Sequence, residues 1–332
     1  MFAIKAENLT RTFGPVTAVD QLNLTVERGE IFGLVGPDGS GKTTIMRLFS
    51  GILRPTSGEA WILGHSVSKE AEPLKERIGY MAQRFALYGD LTVMENLHFY
   101  ADLYDVSRKE RLPRIERLLS FSNLSPFKDR LAQNLSGGMK QKLGLACALV
   151  HTPEILFLDE PTNGVDPVSR RDFWRILYDL LREGVTIFVS TAYLDEAERC
   201  HRIGLMHQGR LLSIGSPKEV KDLMKGELWE VRCERRMKAV EILKDLSGVK
   251  GAGIFGDKIH VLLEDGDGAK GEMEKALRES GFDILSLRKI PPSLEDVFIA
   301  TVPAESRGDR PVAPTEGGLK NGGKWVRIGN DK

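Results

Sequence analysis

A glycine-rich stretch near the amino terminus has the residue types and spacing of a phosphate-binding loop. The segment "GPDGSGKT", residues 36–43, fits the pattern G-x-x-x-x-G-K-[ST] and lies between an apolar run and a helical run. Backbone amides of such a turn can surround phosphate oxygens, and the positive end of the following helix assists them. Lys42 would neutralise β- and γ-phosphate charge, and the Thr43 hydroxyl would coordinate Mg²⁺. The predicted nucleotide-binding residues are Gly36, Pro37, Asp38, Gly39, Ser40, Gly41, Lys42, Thr43 and Thr44.

Asp38 is the unusual member of this loop, because it adds a carboxylate beside a polyanion. We expect it to face solvent and assign it no chemical role. The alternative for the whole stretch is a coincidental glycine turn, which the strand before it and the helix after it disfavour.

Two adjacent carboxylates form the second candidate feature. In "ILFLDEPTNGVDP", residues 155–167, Asp159 ends an apolar strand and Glu160 follows it. Asp159 could hold Mg²⁺ through water, and Glu160 is placed to polarise an attacking water molecule. The alternative is that this acidic pair only caps the next helix. With a phosphate-binding loop in the same chain, the catalytic interpretation is favoured.

Apolar runs predict the elements that position these residues. Residues 29–36, 154–159 and 184–190 are short continuous apolar segments, as in buried strands of a parallel sheet. An amphipathic helix lies between the last two, so strand, helix and strand alternate and an α/β sheet is expected. The region from about 84 to 150 is mainly helical in pattern and is predicted to be a helical insertion.

The chain is predicted to continue into a second, smaller domain. Residues 226–300 have the order β-α-β-β-α-β, which is typical of a ferredoxin-like α+β domain. Residues 301–332 are rich in glycine, proline and charge and are expected to be a disordered tail. The first domain would then span residues 1–225.

The composition narrows the possible classes of protein. Lys plus Arg and Asp plus Glu both number 47 in the 332 residues, so the formal net charge is zero and a nucleic-acid partner is not expected. The three cysteines lack metal-site spacing and indicate a reducing compartment. No secretory signal and no apolar run of the roughly 20 residues that span a membrane is visible. We therefore expect a soluble, cytoplasmic protein.

Further motifs resemble the ABC ATPase family. The segment "NLSGGMKQK", residues 134–142, resembles its signature sequence and closes the helical insertion. Gln83 matches the glutamine that joins the two subdomains, Asp166 matches the loop that contacts the dimer partner, and Phe13 matches the aromatic platform for adenine. Phe13 is the weakest of these matches, because a lone aromatic residue is more often a core residue, but stacking is favoured here. These motifs occur in the family's order across roughly residues 3 to 220.

The resemblance implies a fold, cofactors and an assembly. The fold would be an α/β P-loop NTPase of the ABC type, with a RecA-like core sheet and a helical subdomain. ATP and Mg²⁺ would bind in a head-to-tail dimer, where Ser136, Gly137 and Gly138 contact the nucleotide of the opposite subunit. Glu160 and Gln83 would be catalytic, and Mg²⁺ would be held by Thr43, Gln83 and Asp159. Paired integral-membrane permease subunits and a second ATP-binding cassette would be the partners.

The carboxyl-terminal part narrows the resemblance to one branch. "RKIPPSLEDVFIA", residues 288–300, is similar to the ending of drug-efflux exporter ATPases, including the daunorubicin-resistance branch. The motifs together resemble the first half of tandem multidrug efflux ATPases more closely. This implies an ATP-hydrolysing subunit that is peripheral on the inner face of the cell membrane and powers efflux of a drug or small molecule.

One position departs from the family pattern. In "TIFVSTAYLDEAE", residues 186–198, Ala192 occupies the place where the family usually has histidine. One hypothesis is therefore an ATP-gated binding subunit with a slow site, paired with a catalytically complete cassette. Ser190, Thr191 or an ordered water could instead replace the missing donor. A third hypothesis, a soluble ABC protein of translation or repair, lacks a second cassette, a basic arm or a coiled-coil insertion in this sequence.

Overall fold

The computed structural model describes residues 2–83, 87–264, 266–301 and 324–327. The chain forms two compact units, Met1–Ile214 and Gly215–Lys332, and each is described by itself. This division lies before the boundary expected at residue 225, because helix Pro217–Asp222 packs against helix Leu294–Thr301 within the second unit.

The first unit contains an antiparallel sheet of four strands. The strands are β1 (Phe2–Phe13), β2 (Val16–Glu27), β4 (Ser57–Ile62) and β5 (His65–Ser66). Their order in the sheet is β2-β1-β4-β5.

A six-stranded sheet forms the centre of the first unit. Its strands are β3 (Ile31–Val35), β6 (Ile78–Met81), β7 (Ile155–Asp159), β8 (Thr186–Thr191), β9 (Arg202–His207) and β10 (Arg210–Gly215). Their order is β10-β9-β3-β8-β7-β6, and the pairs β9–β3, β3–β8, β8–β7 and β7–β6 are parallel. Every residue of β3, β7 and β8 is buried, as the continuous apolar runs predict.

The parallel register brings separate sequence motifs to one edge of this sheet. Val35 pairs with Thr191, and Asp159 pairs with Ser190. Met81, at the end of β6, pairs with Leu158. The segments that follow these strands, which include the phosphate loop, the acidic pair and Ala192, therefore start side by side.

Seven helices belong to the described part of the first unit: α1 (Lys42–Phe49), α2 (Ala71–Lys75), α3 (Val93–Leu103), α4 (Arg108–Phe121), α5 (Gly137–Leu149), α6 (Pro167–Arg182) and α7 (Leu194–Ala197). Short 3₁₀ turns occupy Ser125–Phe127 and Ala132–Asn134. Helices α3, α4 and α5 form the predicted helical insertion, and they enclose a core of their own. A separate core joins the two sheets to α1. Residues 84–86, at the start of the expected insertion, lie outside the described residues.

The second unit has the predicted ferredoxin-like order. Helix α8 (Pro217–Asp222) precedes β11 (Glu227–Cys233), α9 (Arg236–Lys244), β12 (Val249–Phe255), β13 (Lys258–Leu263), α10 (Gly266–Glu279), β14 (Ile284–Ile290) and α11 (Leu294–Thr301). The sheet order is β14-β11-β13-β12, with antiparallel pairing throughout. One face of this sheet packs on α9 and α10 around a continuous apolar core.

Most of the expected disordered tail, residues 302–323 and 328–332, lies outside the described residues. Lys324–Arg327 form strand β15, which pairs antiparallel with β12, so these four residues are a strand and not the disordered segment expected. Across the described part of the chain, none of the helices has both the length and the apolar character needed to cross a membrane.

Candidate nucleotide-binding site

The phosphate loop lies between β3 and α1, and two of its glycines are required by close backbone approaches. A Cβ on Gly36 would lie 2.3 Å from the Met206 carbonyl oxygen. Gly41 has a φ of +104°, and a Cβ there would lie 2.4 Å from the carbonyl oxygen of Ala18. No side chain fits at either position without moving backbone. Asp38 is exposed, as expected for a residue without a chemical role.

Lys42 is buried and makes contacts within the protein. Its ammonium donates to the carbonyl oxygens of Gly36, at 2.7 Å, and Pro37, at 3.0 Å. It also lies 3.1 Å from Oε1 of Glu160. A bound polyanion would offer the same cation stronger acceptors than these two carbonyl oxygens.

Asp159 joins two hydroxyl groups at the end of β7. Thr43 Oγ1 donates to Asp159 Oδ1 at 3.2 Å, and Ser190 Oγ donates to the same oxygen at 2.7 Å. The second carboxylate oxygen, Oδ2, is buried without a hydrogen-bond partner among the described residues. A fully buried oxygen of this kind suits a hard cation such as Mg²⁺.

The rest of a Mg²⁺ shell would not come from carboxylates. Among the described residues, no group of three or more His, Cys, Asp or Glu side chains converges as a metal site. Mg²⁺ usually binds one or two protein ligands together with substrate phosphates and waters, and Thr43 with Asp159 fits that mode. Gln83, the third predicted ligand, makes its side-chain hydrogen bond with Glu160.

Glu160 is the most connected residue of the site. Gln83 Nε2 donates to its Oε2 at 2.8 Å, and Asn163 Nδ2 lies 3.4 Å from the same oxygen. The Glu160 amide donates to Ser190 Oγ at 3.0 Å. Its backbone is left-handed, with a φ of +47°, which is costly for a residue with a side chain. This carboxylate points into the site and does not cap the next helix, so the capping alternative is wrong for Glu160.

Asp166 is the residue that caps the next helix. Its side chain accepts hydrogen bonds from the amides of Val168, at 3.1 Å, and Ser169, at 2.9 Å, at the start of α6. The hydrogen bonds from Ser169, followed by the one from Val168, hold the pKa of this exposed carboxyl below its usual range. The predicted contact of Asp166 with a dimer partner stays a prediction.

The signature residues Ser136, Gly137 and Gly138 lie at the start of helix α5. Ser136 is the N-cap and accepts a hydrogen bond from the Met139 amide at 3.3 Å. A Cβ on Gly138 would lie 2.5 Å from the Cβ of Ser169 on α6, whereas a Cβ on Gly137 would make only an ordinary contact, 3.9 Å from the Gly164 carbonyl oxygen. Within the described residues, no hydrogen bond or ion pair joins Ser136, Gly137 or Gly138 to residues 36–43. Their predicted contact with a nucleotide of the opposite subunit stays a prediction.

Phe13 lies at the end of β1 with 44% of its surface exposed, so the alternative of a core aromatic is wrong. The Arg11 guanidinium lies 4.5 Å from the centre of its ring. The position and exposure are compatible with a stacking platform. Ala192 follows β8 directly and is half-buried between Thr191 and Tyr193.

Sequence reasoning missed some residues of the site. It named Ser190 only as a possible replacement donor, whereas this hydroxyl joins the Asp159 carboxylate to the Glu160 amide. It did not name Asn163 at all. A polar residue at the end of an otherwise apolar strand was the available signal for Ser190.

Comparisons with known proteins decide the family. A family model described as "ABC transporter" matches residues 19–163, and one described as "ATP-binding protein DrrA1-3-like, C-terminal domain" matches residues 215–302. The chain is 34% identical over 301 residues to the bacitracin transport ATP-binding protein BcrA of Bacillus licheniformis, covering 90% of this chain and 97% of that protein. The chain belongs to the ABC transporter ATP-binding proteins. This confirms the predicted fold class.

Two further similarities extend the comparison within this family. The chain is 42% identical over 297 residues to the probable multidrug ABC transporter ATP-binding protein YbhF of Escherichia coli strain K12. This match covers 89% of the chain and 51% of YbhF, so the chain spans about half the length of that relative. Among solved structures, the ATP-binding cassette MJ0796, a dimer bound to ADP and Pi in a post-hydrolysis state, superposes with a TM-score of 0.59 and 27% identity, over 64% of this chain and 98% of MJ0796.

Proposed function

We propose that this chain is the ATP-binding and ATP-hydrolysing subunit of a membrane ABC exporter. The observation that carries the proposal is the meeting of Lys42, Glu160 and Asp159 at one edge of the parallel sheet. A buried cation, a carboxylate base and a free carboxylate oxygen are the groups that phosphoryl transfer to water requires.

The residues of the site support the following chemistry. When ATP enters the loop, Lys42 leaves the carbonyls of Gly36 and Pro37 and contacts the phosphates, which releases the Glu160 carboxylate from its ion pair. Glu160 then accepts a proton from the water whose oxygen attacks the γ-phosphorus, while the bond to the bridging oxygen of ADP breaks. Gln83, already 2.8 Å from Glu160, holds that carboxylate. Bound Mg²⁺ would neutralise phosphate charge, held by Thr43 and Asp159.

The partners are a second ATP-binding cassette and integral-membrane permease subunits. MJ0796 is dimeric with ADP and Pi, which supports a dimer here, with Ser136, Gly137 and Gly138 facing the opposite nucleotide. The helical insertion carries exposed apolar side chains that fit a permease surface. Tyr88 and Phe99 stand edge to face with ring centres 4.6 Å apart, and Leu103 is 61% exposed. The chain would therefore bind the inner face of the membrane through these partners.

The cargo is proposed from the relatives alone. The names of YbhF and BcrA give multidrug and bacitracin transport for those proteins. By similarity, we infer efflux of a drug-like small molecule.

A second candidate function is that of a subunit that binds ATP but hydrolyses it slowly. Ala192 has a methyl group, which cannot donate a hydrogen bond to the γ-phosphate. In this version the chain holds ATP at a slow site and completes a fast site on a different cassette.

Turnover of the purified chain with Mg²⁺ and ATP tests the proposal, measured beside Lys42→Ala. We expect phosphate release by the parent chain and a loss of it in the variant. Tight ATP binding by a parent chain that hydrolyses no faster than Lys42→Ala would favour the second candidate. A parent chain that neither binds nor hydrolyses ATP would refute both.

A further inference from the structure

We propose that Glu196 is a positioning residue for hydrolysis, because its carboxylate joins the loop after Glu160 to the turn that contains Ala192. This inference rests on the proposed ATPase function. Glu196 lies in helix α7 and has no exposed surface. A fully buried carboxylate is costly unless it is paired and hydrogen-bonded, so its partners show what it holds.

The partners come from three separate segments. Thr162 Oγ1 donates to Glu196 Oε1 at 2.5 Å, and Thr191 Oγ1 donates to Oε2 at 2.9 Å. Arg170 Nε, on helix α6, lies 3.6 Å from Oε1. One carboxylate therefore fixes a residue after the proposed base, the last residue of β8 and the first turns of α6.

The Thr191 contact determines the course of the chain around Ala192. The Thr191 hydroxyl donates to Glu196 and accepts from the Tyr193 amide at 3.0 Å, so it spans the residue between them. The Arg170 guanidinium lies 4.5 Å from the centre of the Tyr193 ring and covers the same turn. The Thr191 carbonyl accepts from the amide of Gly36 at 3.3 Å, which ties this turn to the start of the phosphate loop.

The Thr162 contact matters because the side chain of Glu160 has to change partners. Lys42 lies 3.1 Å from Glu160 in this structure, and in the proposed function it contacts the phosphates of bound ATP. From then on, the backbone of the loop has to keep the base in place against a strained φ of +47°. That loop is closed by hydrogen bonds from Asn163 to Glu160 and from Val165 to Thr162. The hydrogen bond between Thr162 and Glu196 ties this loop to helix α7 through side chains.

The test separates positioning from binding and from stability. In Glu196→Gln, the charge that orients both hydroxyls is lost with little change of shape. We expect kcat to fall roughly ten- to a hundredfold, since small misplacements of reacting groups have effects of that size. The KM for ATP should change less than about threefold, because Lys42 and the loop glycines are untouched. Equal kcat in parent and variant would overturn the proposal, and so would a weaker ATP affinity that accounts for the whole loss.

Variants of Thr162 test the same contact without changing the buried charge. Thr162→Val should lower kcat as Glu196→Gln does, and Thr162→Ser, which keeps the hydroxyl, should restore most of it. The double variant Thr162→Val with Glu196→Gln should lose less than the product of the two single effects, since both remove one interaction. Independent, multiplying effects would contradict a shared role. If Glu196→Gln does not fold, the Thr162 pair decides.

Glu30→Gln is the matched control. Glu30 is also a buried carboxylate of the first unit, held by the Glu27 amide at 2.7 Å and Arg202 at 3.2 Å, at the opposite end of β3. It should lose stability and keep kcat. Amide hydrogen exchange gives a readout that does not depend on turnover: Asn163 and Val165 should exchange faster in Glu196→Gln and not in Glu30→Gln. If the parent chain fails to hydrolyse ATP, the proposed function falls, and unchanged exchange at these two amides would overturn the anchoring role separately.

Discussion

The Lys42 ammonium lies 3.1 Å from the Glu160 carboxylate, and both side chains are buried. The cation for phosphate and the proposed base therefore neutralise each other in this structure. Removing one member of a buried pair leaves the other uncompensated, so a substitution at either position acts on both.

Lys42→Ala should weaken ATP binding, because the variant loses a charge-assisted contact with phosphate worth about 1.5–3 kcal/mol. By isothermal titration, the Kd should rise about ten- to a hundredfold. Lys109→Ala, at an exposed position of α4, is the control and should bind as the parent does. An unchanged Kd in Lys42→Ala would contradict the assignment of residues 36–43 as the phosphate-binding site.

Glu160→Gln should keep ATP bound and accumulate a closed dimer, since the amide has the shape of the carboxylate but cannot take the proton. Turnover should fall at least about a hundredfold. Sedimentation velocity with ATP would show the dimer, and Glu183→Gln, at the exposed end of α6, should behave as the parent. Parent-like turnover in Glu160→Gln would mean that another group is the base.

Ala192→His should raise turnover of the purified chain at least tenfold, because it restores a donor at the end of β8. One positioned donor typically contributes about 10²–10³ in rate. ATP affinity should change little, since Lys42 and the loop amides supply it. A folded variant that binds ATP and dimerises without faster turnover would show that Ala192 does not limit this site.

Residues 226–300 should be dispensable for nucleotide binding. Every predicted phosphate contact precedes them, and the chain divides between Ile214 and Gly215. Truncations after Lys225 and after Gly215 should both bind ATP within about twofold of the full chain. The truncation after Lys225 keeps α8 but removes its packing partner α11, whereas the truncation after Gly215 removes both helices. The truncation after Gly215 should therefore aggregate less. A folded truncation without ATP affinity would contradict the prediction.

Acid should destabilise the protein partly through His151. Burial lowers the pKa of this ring, which stacks on Tyr104 and bonds to the Ile78 carbonyl. The unfolded chain takes up the proton near pH 6.5 and the folded chain only at lower pH, so the free energy of unfolding falls as pH drops through that value. Between pH 7.5 and 5.5, the urea midpoint of His151→Gln should fall less than that of the parent. Equal decreases would assign the acid sensitivity to other groups.

The arrangement of the site was largely predictable from local sequence. Continuous apolar runs that end in a glycine turn or an acidic pair indicate parallel strands, and parallel strands bring their carboxyl ends together. These local patterns are enough to place Lys42, Asp159 and Glu160 near one another. The ferredoxin-like order was predictable in the same way, because the hydrophobic pattern of each strand and each helix is a local property of the sequence.

Contacts between distant side chains were not predictable. Nothing near Glu196 in the sequence indicates that it meets Thr162 and Thr191, since that depends on how α7 folds back over β8. Ser136 and Asp166 match binding motifs, yet each also caps a helix, a role that their residue type fits equally well. The expected boundary at residue 225 followed composition, whereas the contacts divide the chain between Ile214 and Gly215 because α8 packs on α11.

The ring of Phe13, which Arg11 covers on one side, bears on which nucleotide the proposed exporter can use. An aromatic ring that stacks on a base contacts only the flat face of that base, and all purines have such a face. Hydrogen-bonding edges, which distinguish adenine from guanine, are not addressed by stacking. The choice of nucleotide would then be made by the triphosphate, and GTP should drive the same cycle wherever its concentration is comparable.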